Sequence, residues 1–366
     1  MKKSEKRIFL TFLFSVLTFL GYSQNIIEGV ITDSKTGEAM PFVNIAVSGH
    51  AVGTISDLNG EFKISVPDSF LDKDLSISSV GYAPYTCKIS SVKGLRLEVK
   101  LEPRDLKISQ VVVTDKSQAG RKVLKDFLEK LSSNYINCDF AYSGDYTGIV
   151  KKNGIEKKSV YKFNAYDSQG YVSKEKSRAF ESLNYKFSSV SRNFKVDDFE
   201  TGVNFFDLTS SFDIVRYSFN VLNPSCLSSF DFKIKSETSE VYVIEFNCES
   251  PELINTGVLK PQKYSGEITV NKSDNAILSA DYVLEVKDFS PLALTLALGN
   301  QANSAVIKCS VSYAKTTGKY SLKSISSVID ITDSVKGNYS IIDNLSVVSV
   351  NYKVPGKISG KVFYSR

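Results

Sequence analysis

One histidine, His50, and no tryptophan stand in this chain of 366 residues. A zinc site with two imidazoles and a His-Glu-x-x-His helix are therefore excluded, and a Ser–His pair would have to be built on His50 alone. The absence of tryptophan removes the favoured platform for carbohydrate, although tyrosine can substitute. The five cysteines (Cys87, Cys138, Cys226, Cys248, Cys309) show no Cys-x-x-Cys spacing. In an oxidising compartment their odd number leaves at least one unpaired or bonded to another chain. A chain of this length has core enough without bridges, so mostly buried free thiols are expected, with a single disulfide in the second half left open. No Gly-x-x-x-x-Gly-Lys-Ser/Thr, Gly-x-Gly-x-x-Gly or Gly-x-Ser-x-Gly motif occurs, which removes the common phosphate, dinucleotide and nucleophile-elbow signatures.

Long apolar runs are also missing. The run Ile8–Leu20 is 13 residues, short of the roughly 20 that span a bilayer core. It follows Lys2, Lys3, Lys6 and Arg7 and precedes Gly21-Tyr22-Ser23-Gln24, the three-part pattern of a secretory signal cleaved near Ser23. An uncleaved anchor is the alternative; no cysteine follows the run to take a lipid. The formal charge is +5, and the first seven residues supply +3 of it. What remains is too small to argue for nucleic acid.

What the chain has in abundance is β chemistry: 23 Phe, 19 Tyr and many Val, Ile, Ser and Thr. From residue 24 to 103 it reads as seven short strands, each with one dry face, broken by turn clusters. Six of the runs are Ile26–Thr32, Phe42–Val47, Glu61–Val66, Leu75–Val80, Tyr85–Ile89 and Leu95–Leu101, and a glycine-flanked bend lies between Gly49 and Gly53. Asp57-Leu58-Asn59-Gly60-Glu61 looks like part of a calcium loop but lacks the later ligands, so a hairpin turn is expected. His50 is expected to face solvent in its turn.

Several of these residues form a familiar ordered set. Gly29, Asp33, Thr36-Gly37-Glu38, Pro41-x-Val43-Asn44-Ile45, Gly53-Thr54, Asp57-x-Asn59-Gly60-x-Phe62 and Val80-Gly81-Tyr82 together resemble the carboxypeptidase regulatory-like domain. The resemblance implies a transthyretin-like sandwich with no peptidase activity, often found at the N-terminus of exported or outer-membrane proteins of Gram-negative envelopes. Pro103 to Thr114, with Val111-Val112-Val113, resembles the stretch that leads into a plug domain in large outer-membrane receptors. No plug pattern or long barrel series follows it, so a linker over 104–118 is expected.

Residues 119–366 are expected to be a larger antiparallel β domain with one amphipathic helix. Val123, Leu124, Phe127, Leu128 and Leu131 recur at helical spacing between Ala119 and Ser133, and Asn134 ends the pattern. Strands are expected at Tyr142–Val150, Ser159–Ala165, Gln169–Val172, Tyr217–Leu222, Phe230–Ser236, Val241–Asn247, Gln262–Val270, Ile277–Val286, Val306–Tyr313, Tyr320–Asp330, Leu345–Tyr352 and Gly356–Phe363. A short helix is expected within Asp197–Asp213, and Leu292–Leu298 reads as a helical lid or a buried strand. Asn134-Tyr135, Val241–Phe246 and Tyr264–Val270 before Asn275-Ala276-Ile277 resemble the half-open barrels that carry lipoproteins across the periplasm. That resemblance implies a curved sheet around a helix, with room for an apolar cavity.

Carboxylate pairs are what remains for catalysis. Asp197-Asp198, or Asp139 with Asp145, could in principle do glycosidase chemistry, but acids at this density are read as solvated surface. No catalytic, cofactor-binding or metal-ligating residue is assigned, and no cofactor is expected. The sequence reading is a mainly β, non-catalytic exported envelope protein, periplasmic or outer-membrane associated, that binds a hydrophobic ligand, a lipid or another envelope protein. A small outer-membrane β-barrel carrying a periplasmic sandwich and a carboxylate-dependent hydrolase are the alternatives.

Overall fold

The computed structural model describes residues 24–40, 43–48, 52–57, 59–79, 82–103, 115–177, 179–193, 208–209, 211–288, 303–334, 337–353 and 355–358. The signal segment, His50, Val111–Val113, Asp197-Asp198, Leu292–Leu298 and most of Gly356–Phe363 lie outside them. The chain divides into two compact units, residues 1–78 with 83–103, and residues 79–82 with 104–366.

Alternation builds the smaller unit. Its strands are β1 (Gln24–Asp33), β2 (Asn44–Val47), β3 (Gly53–Ile55), β4 (Glu61–Pro67), β5 (Asp74–Ser78), β6 (Tyr85–Lys88) and β7 (Arg96–Leu101). They form a three-stranded sheet, β4-β1-β7, and a four-stranded sheet, β3-β2-β5-β6. In β4 every second residue is buried, so Phe62, Ile64 and Val66 meet Ile27, Ile31, Ile45, Leu75 and Ile77 inside. Each such side chain contributes about 1.5–3 kcal/mol on burial. Gly29 is required because β1 is paired on both sides: a Cβ there would come within 2.2 Å of the Leu97 carbonyl oxygen and 2.8 Å of the Phe62 ring. The Asp57 carboxylate accepts from the N–H groups of Asn59 (2.9 Å) and Glu61 (2.8 Å), so it is spent on its own turn.

The larger unit is one ten-stranded antiparallel sheet. Its strands are β8 (Phe140–Lys152), β9 (Ile155–Asp167), β10 (Leu183–Arg192), β11 (Asp231–Glu237), β12 (Val241–Cys248), β13 (Pro261–Asn271), β14 (Ile277–Lys287), β15 (Asn303–Thr316), β16 (Lys319–Asp333) and β17 (Tyr339–Asn351). The order is β10-β9-β8-β17-β16-β15-β14-β13-β12-β11. The chain thus builds outward from β8 to one edge, transfers to the opposite edge, and steps back until β17 pairs with β8. The sheet remains open, with β10 and β11 as its ends. Ion pairs such as Lys263–Glu285 (3.1 Å) and Lys308–Asp330 (3.2 Å) lie across the strand face turned away from the core. Neither feature suits a lipid-facing barrel, which needs closure and an apolar outer band. Among the described residues no helix is long and apolar enough to cross a membrane.

A helix, Asp115–Asn134, packs its Leu124, Phe127 and Leu131 stripe into the core, as its periodicity predicts. It contacts both β11 and β16. Those strands are five places apart in the sheet, so the sheet curls around the helix. Tyr135, just beyond the helix, bridges to Tyr320 of β16.

Two strand expectations need correction, and one strand was not expected. Tyr217–Leu222 alternates like a strand but is a looped segment, because the Asn220 side chain binds the carbonyls of Ile214 (3.0 Å) and Tyr217 (2.9 Å) and the N–H of Leu222 (2.9 Å). Gln169–Val172 is a turn with Gly170 at φ +74°. Leu183–Arg192, which shows weak alternation, is an edge strand with a bulge at Ser188. Within Asp197–Asp213 the described helical residues are 208, 209 and 211, in keeping with the short helix expected there.

Candidate functional site

The described part of the connection from β10 to β11 lies against the inner face of the sheet. Residues 211–223 form this strap, and a buried polar network fastens it. Asp213, 3% exposed, accepts from the hydroxyls of Tyr313 (2.7 Å) and Tyr171 (2.8 Å) and from the Arg216 N–H (3.1 Å). Burial pushes its carboxyl above the usual range, and these three donors pull the other way. Burial, reinforced by the Asp213 charge, also holds both phenols well above their ordinary value, so they remain donors.

Arg216 turns its guanidinium to the neighbouring hairpin. It binds Asp167 through Nε at 2.9 Å and Nη2 at 3.3 Å, and its other donors reach Ser177 (2.6 Å), Ser182 (2.7 Å) and Gln169 (3.1 Å). Asp167 also takes the N–H groups of Gln169 (2.9 Å) and Gly170 (3.0 Å). Burial alone would raise the Asp167 carboxyl, but the Arg216 charge and these hydrogen bonds outweigh it and lower it. Gly170 has no substitute here, since a Cβ would lie 2.4 Å from the Cys138 carbonyl oxygen.

Lys174 completes the fastening. Its ammonium donates to the strap carbonyls of Ile214, Val215 (2.8 Å) and Tyr217 (2.5 Å). Burial pulls its pKa down to about 7, opposed by the charge of Asp213. Around it Tyr135 packs against Tyr171, Tyr313 and Tyr320 with ring centroids 5.3, 5.7 and 5.5 Å apart.

The space left beside Asp167, Asp213 and Arg216 is a cavity of about 20 Å³, bordered by Phe140, Tyr142 and Tyr171. That is room for one water. Both oxygens of each carboxylate are already engaged, and a general base needs a substrate proton within reach. The arrangement ties a segment down; it offers no place for a substrate. Among the described residues, the space beside this network is too small for the apolar ligand that the half-barrel resemblance implies.

Of the sequence-predicted acids, Asp139 and Asp145 are engaged with different partners. Asp139 accepts from the Tyr166 hydroxyl at 3.0 Å, and Asp145 pairs with Lys162 at 3.4 Å on the surface. Asp213, Arg216, Lys174 and Asp167 were missed. A signal existed: Asp213 and Arg216 sit three apart within Phe212–Leu222, a run rich in apolar residues, where a buried charge must find a partner. Of the cysteines, Cys226, Cys248 and Cys309 are buried, Cys87 is half-buried and Cys138 is exposed.

Residues 27–113 match the family model of the CarboxypepD_reg-like domain. From Ile27 onward the described strands of the smaller unit, with the glycine-pinned β1 and the paired sheets, lie within that span. Similarity extends to the TonB-dependent receptor P3 of Formosa agariphila, 28% identical over 104 residues, which are 28% of this chain and 10% of the receptor. The match thus spans about a tenth of that protein's length. Among solved structures, a DUF1329 family protein from Desulfovibrio piger covers 67% of this chain and 96% of its own at 10% identity and a TM-score of 0.26. A putative outer membrane lipoprotein-sorting protein domain from Vibrio parahaemolyticus covers 66% and 95% at 9% identity and a TM-score of 0.27.

Proposed function

We propose that this chain is a non-catalytic, exported protein of the Gram-negative envelope that binds or scaffolds another protein through its outer surface. The regulatory-like domain and the secretory pattern at the N-terminus support the location. The small space beside the strap carries the choice of partner. With about 20 Å³ left beside the strap, a lipid or other hydrophobic ligand would first have to displace a segment held by buried ionic contacts. A protein partner needs no such displacement.

Expression of the full chain in a Gram-negative host, followed by carbonate washing and native mass spectrometry, tests this. The expected result is release into the wash as a chain beginning near Gln24, with no lipid attached. Retention in the pellet would revive the barrel reading, and a stoichiometric co-purified lipid would revive the carrier reading. Turnover on a glycan panel, abolished by a single Asp→Asn change, would end the non-catalytic one.

A further inference from the structure

One end of the larger unit exposes an apolar shelf. Phe219, Leu253, Ile254 and Leu259 are 43, 41, 44 and 38% exposed. They form one surface because the strap lies directly on the turn that follows the one-turn helix Leu253–Thr256. A Cβ on Gly257 would meet the Tyr217 ring at 2.8 Å and the Phe219 carbonyl oxygen at 3.0 Å. The Asn223 amide donates to the Ile254 carbonyl at 3.1 Å. Single large apolar side chains on a surface are ordinary, whereas four on two touching segments make a patch of the kind that marks an interaction site.

A crevice of about 340 Å³ opens beside the shelf, and Ile254 belongs to both. Asp231, Glu249 and Glu252 line it, and no lysine or arginine does. Among the described residues none of these three carboxylates is in an ion pair, although other acids of the same sheet, such as Glu267 and Glu285, are paired with lysines. The face therefore combines an uncovered apolar area with unneutralised negative charge at its edge.

We propose that this face docks a segment of a partner protein carrying a lysine or arginine beside apolar side chains. The cation enters the crevice and the apolar groups lie on the shelf. The inference rests on the protein-binding reading above and names the chemistry of the partner. Charge complementarity selects this occupant. The chain's own apolar run Leu292–Leu298 contains no cation and would leave the three carboxylates as they are. An anionic membrane surface would be repelled by them.

The test uses the full chain and two labelled dodecapeptides, one alternating Lys and Leu, the other Glu and Leu, read by fluorescence anisotropy. The Lys/Leu peptide is expected to bind about tenfold more tightly than the Glu/Leu peptide, with an affinity that falls as salt rises. Glu249→Lys and Ile254→Asp should each weaken it about tenfold. Both side chains are exposed, so the melting curve should not move. Glu156→Lys, at the start of β9, should leave binding unchanged. Equal binding of both peptides, or indifference to Glu249→Lys and Ile254→Asp, overturns the proposal. So does binding that appears only after Leu292–Leu298 is replaced by a Gly-Ser linker, which would make the chain's own segment the occupant. Binding to phosphatidylcholine vesicles that the Lys/Leu peptide cannot displace would assign the shelf to lipid instead. A failed peptide assay alongside an intact cross-linked envelope complex would remove this face and leave the protein-binding reading standing.

Discussion

The sandwich satisfies most of its interior polar groups at shorter range along the chain than the larger unit does. The exception is Asn25, whose amide reaches the Val66 carbonyl 41 residues away. In the sandwich the Asp33 carboxylate serves its own turn through Lys35 (2.7 Å) and Thr36 (3.1 Å), and the Ser56 hydroxyl spans Met40 and Val43. In the larger unit Asp213 is fastened to Tyr313, 100 residues away, and Arg216 to Asp167, 49 residues away. A small aliphatic core with local turns can be assembled piece by piece. A strap that crosses a curled sheet must keep charged groups dry, and their partners come from strands that meet only when the whole sheet has formed.

The largest break in that comparison should come from Arg216→Ala. Removing the guanidinium leaves Asp167 buried and uncompensated, at a cost of about 3–5 kcal/mol. In urea unfolding followed by tyrosine fluorescence, the transition of the larger unit should move to lower denaturant while that of the sandwich stays in place. A common shift of both would contradict the separation drawn here.

A second effect is one of pH. Lys174 has a folded pKa of about 7, below that of an unfolded lysine. Between about pH 7 and 10 the folded chain therefore holds fewer protons than the unfolded one, and stability rises with pH at up to about 1.4 kcal/mol per unit. Below that window the buried ammonium lowers stability by its full amount. Lys174→Met should flatten the profile. A flat profile in the unsubstituted chain would mean that the three strap carbonyls outweigh the cost of burial.

The smallest effect should be common to both units. Surface pairs such as Arg96–Glu61 in the sandwich (2.5 Å) and Lys263–Glu285 in the larger sheet (3.1 Å) are exposed. Arg96→Ala and Lys263→Ala should each cost about 0–1 kcal/mol, and less in high salt. A loss several times larger from either would show that the contrast between surface and interior charge is overstated.

The difference in range also explains what could be read in advance. Six of the seven strands of the sandwich, the helical stripe from Val123 to Leu131 and the long hairpins from β12 to β16 follow from periodicity and turn residues, which are local, whereas β3 lies where the sequence reads as a bend. Tyr217–Leu222 misled because Tyr217, Phe219 and Val221 alternate as a strand does, while Asn220 imposes a loop from the opposite phase. The fastening residues were hidden because each is an ordinary polar side chain until its partner arrives.

By itself the sequence determined the class of the chain: mainly β, a regulatory-like sandwich followed by a larger antiparallel region, with one imidazole to limit its chemistry. Only the tertiary structure decided that residues 211–223 are fastened against the sheet of the second unit by a buried polar network. The return of the last strand to pair with β8 leaves the strand before the strap and the strand after it at opposite edges, so the intervening segment has to cross the interior. Once there, its backbone and charges need partners away from water, and Asp167, Tyr171, Lys174 and Tyr313 supply them.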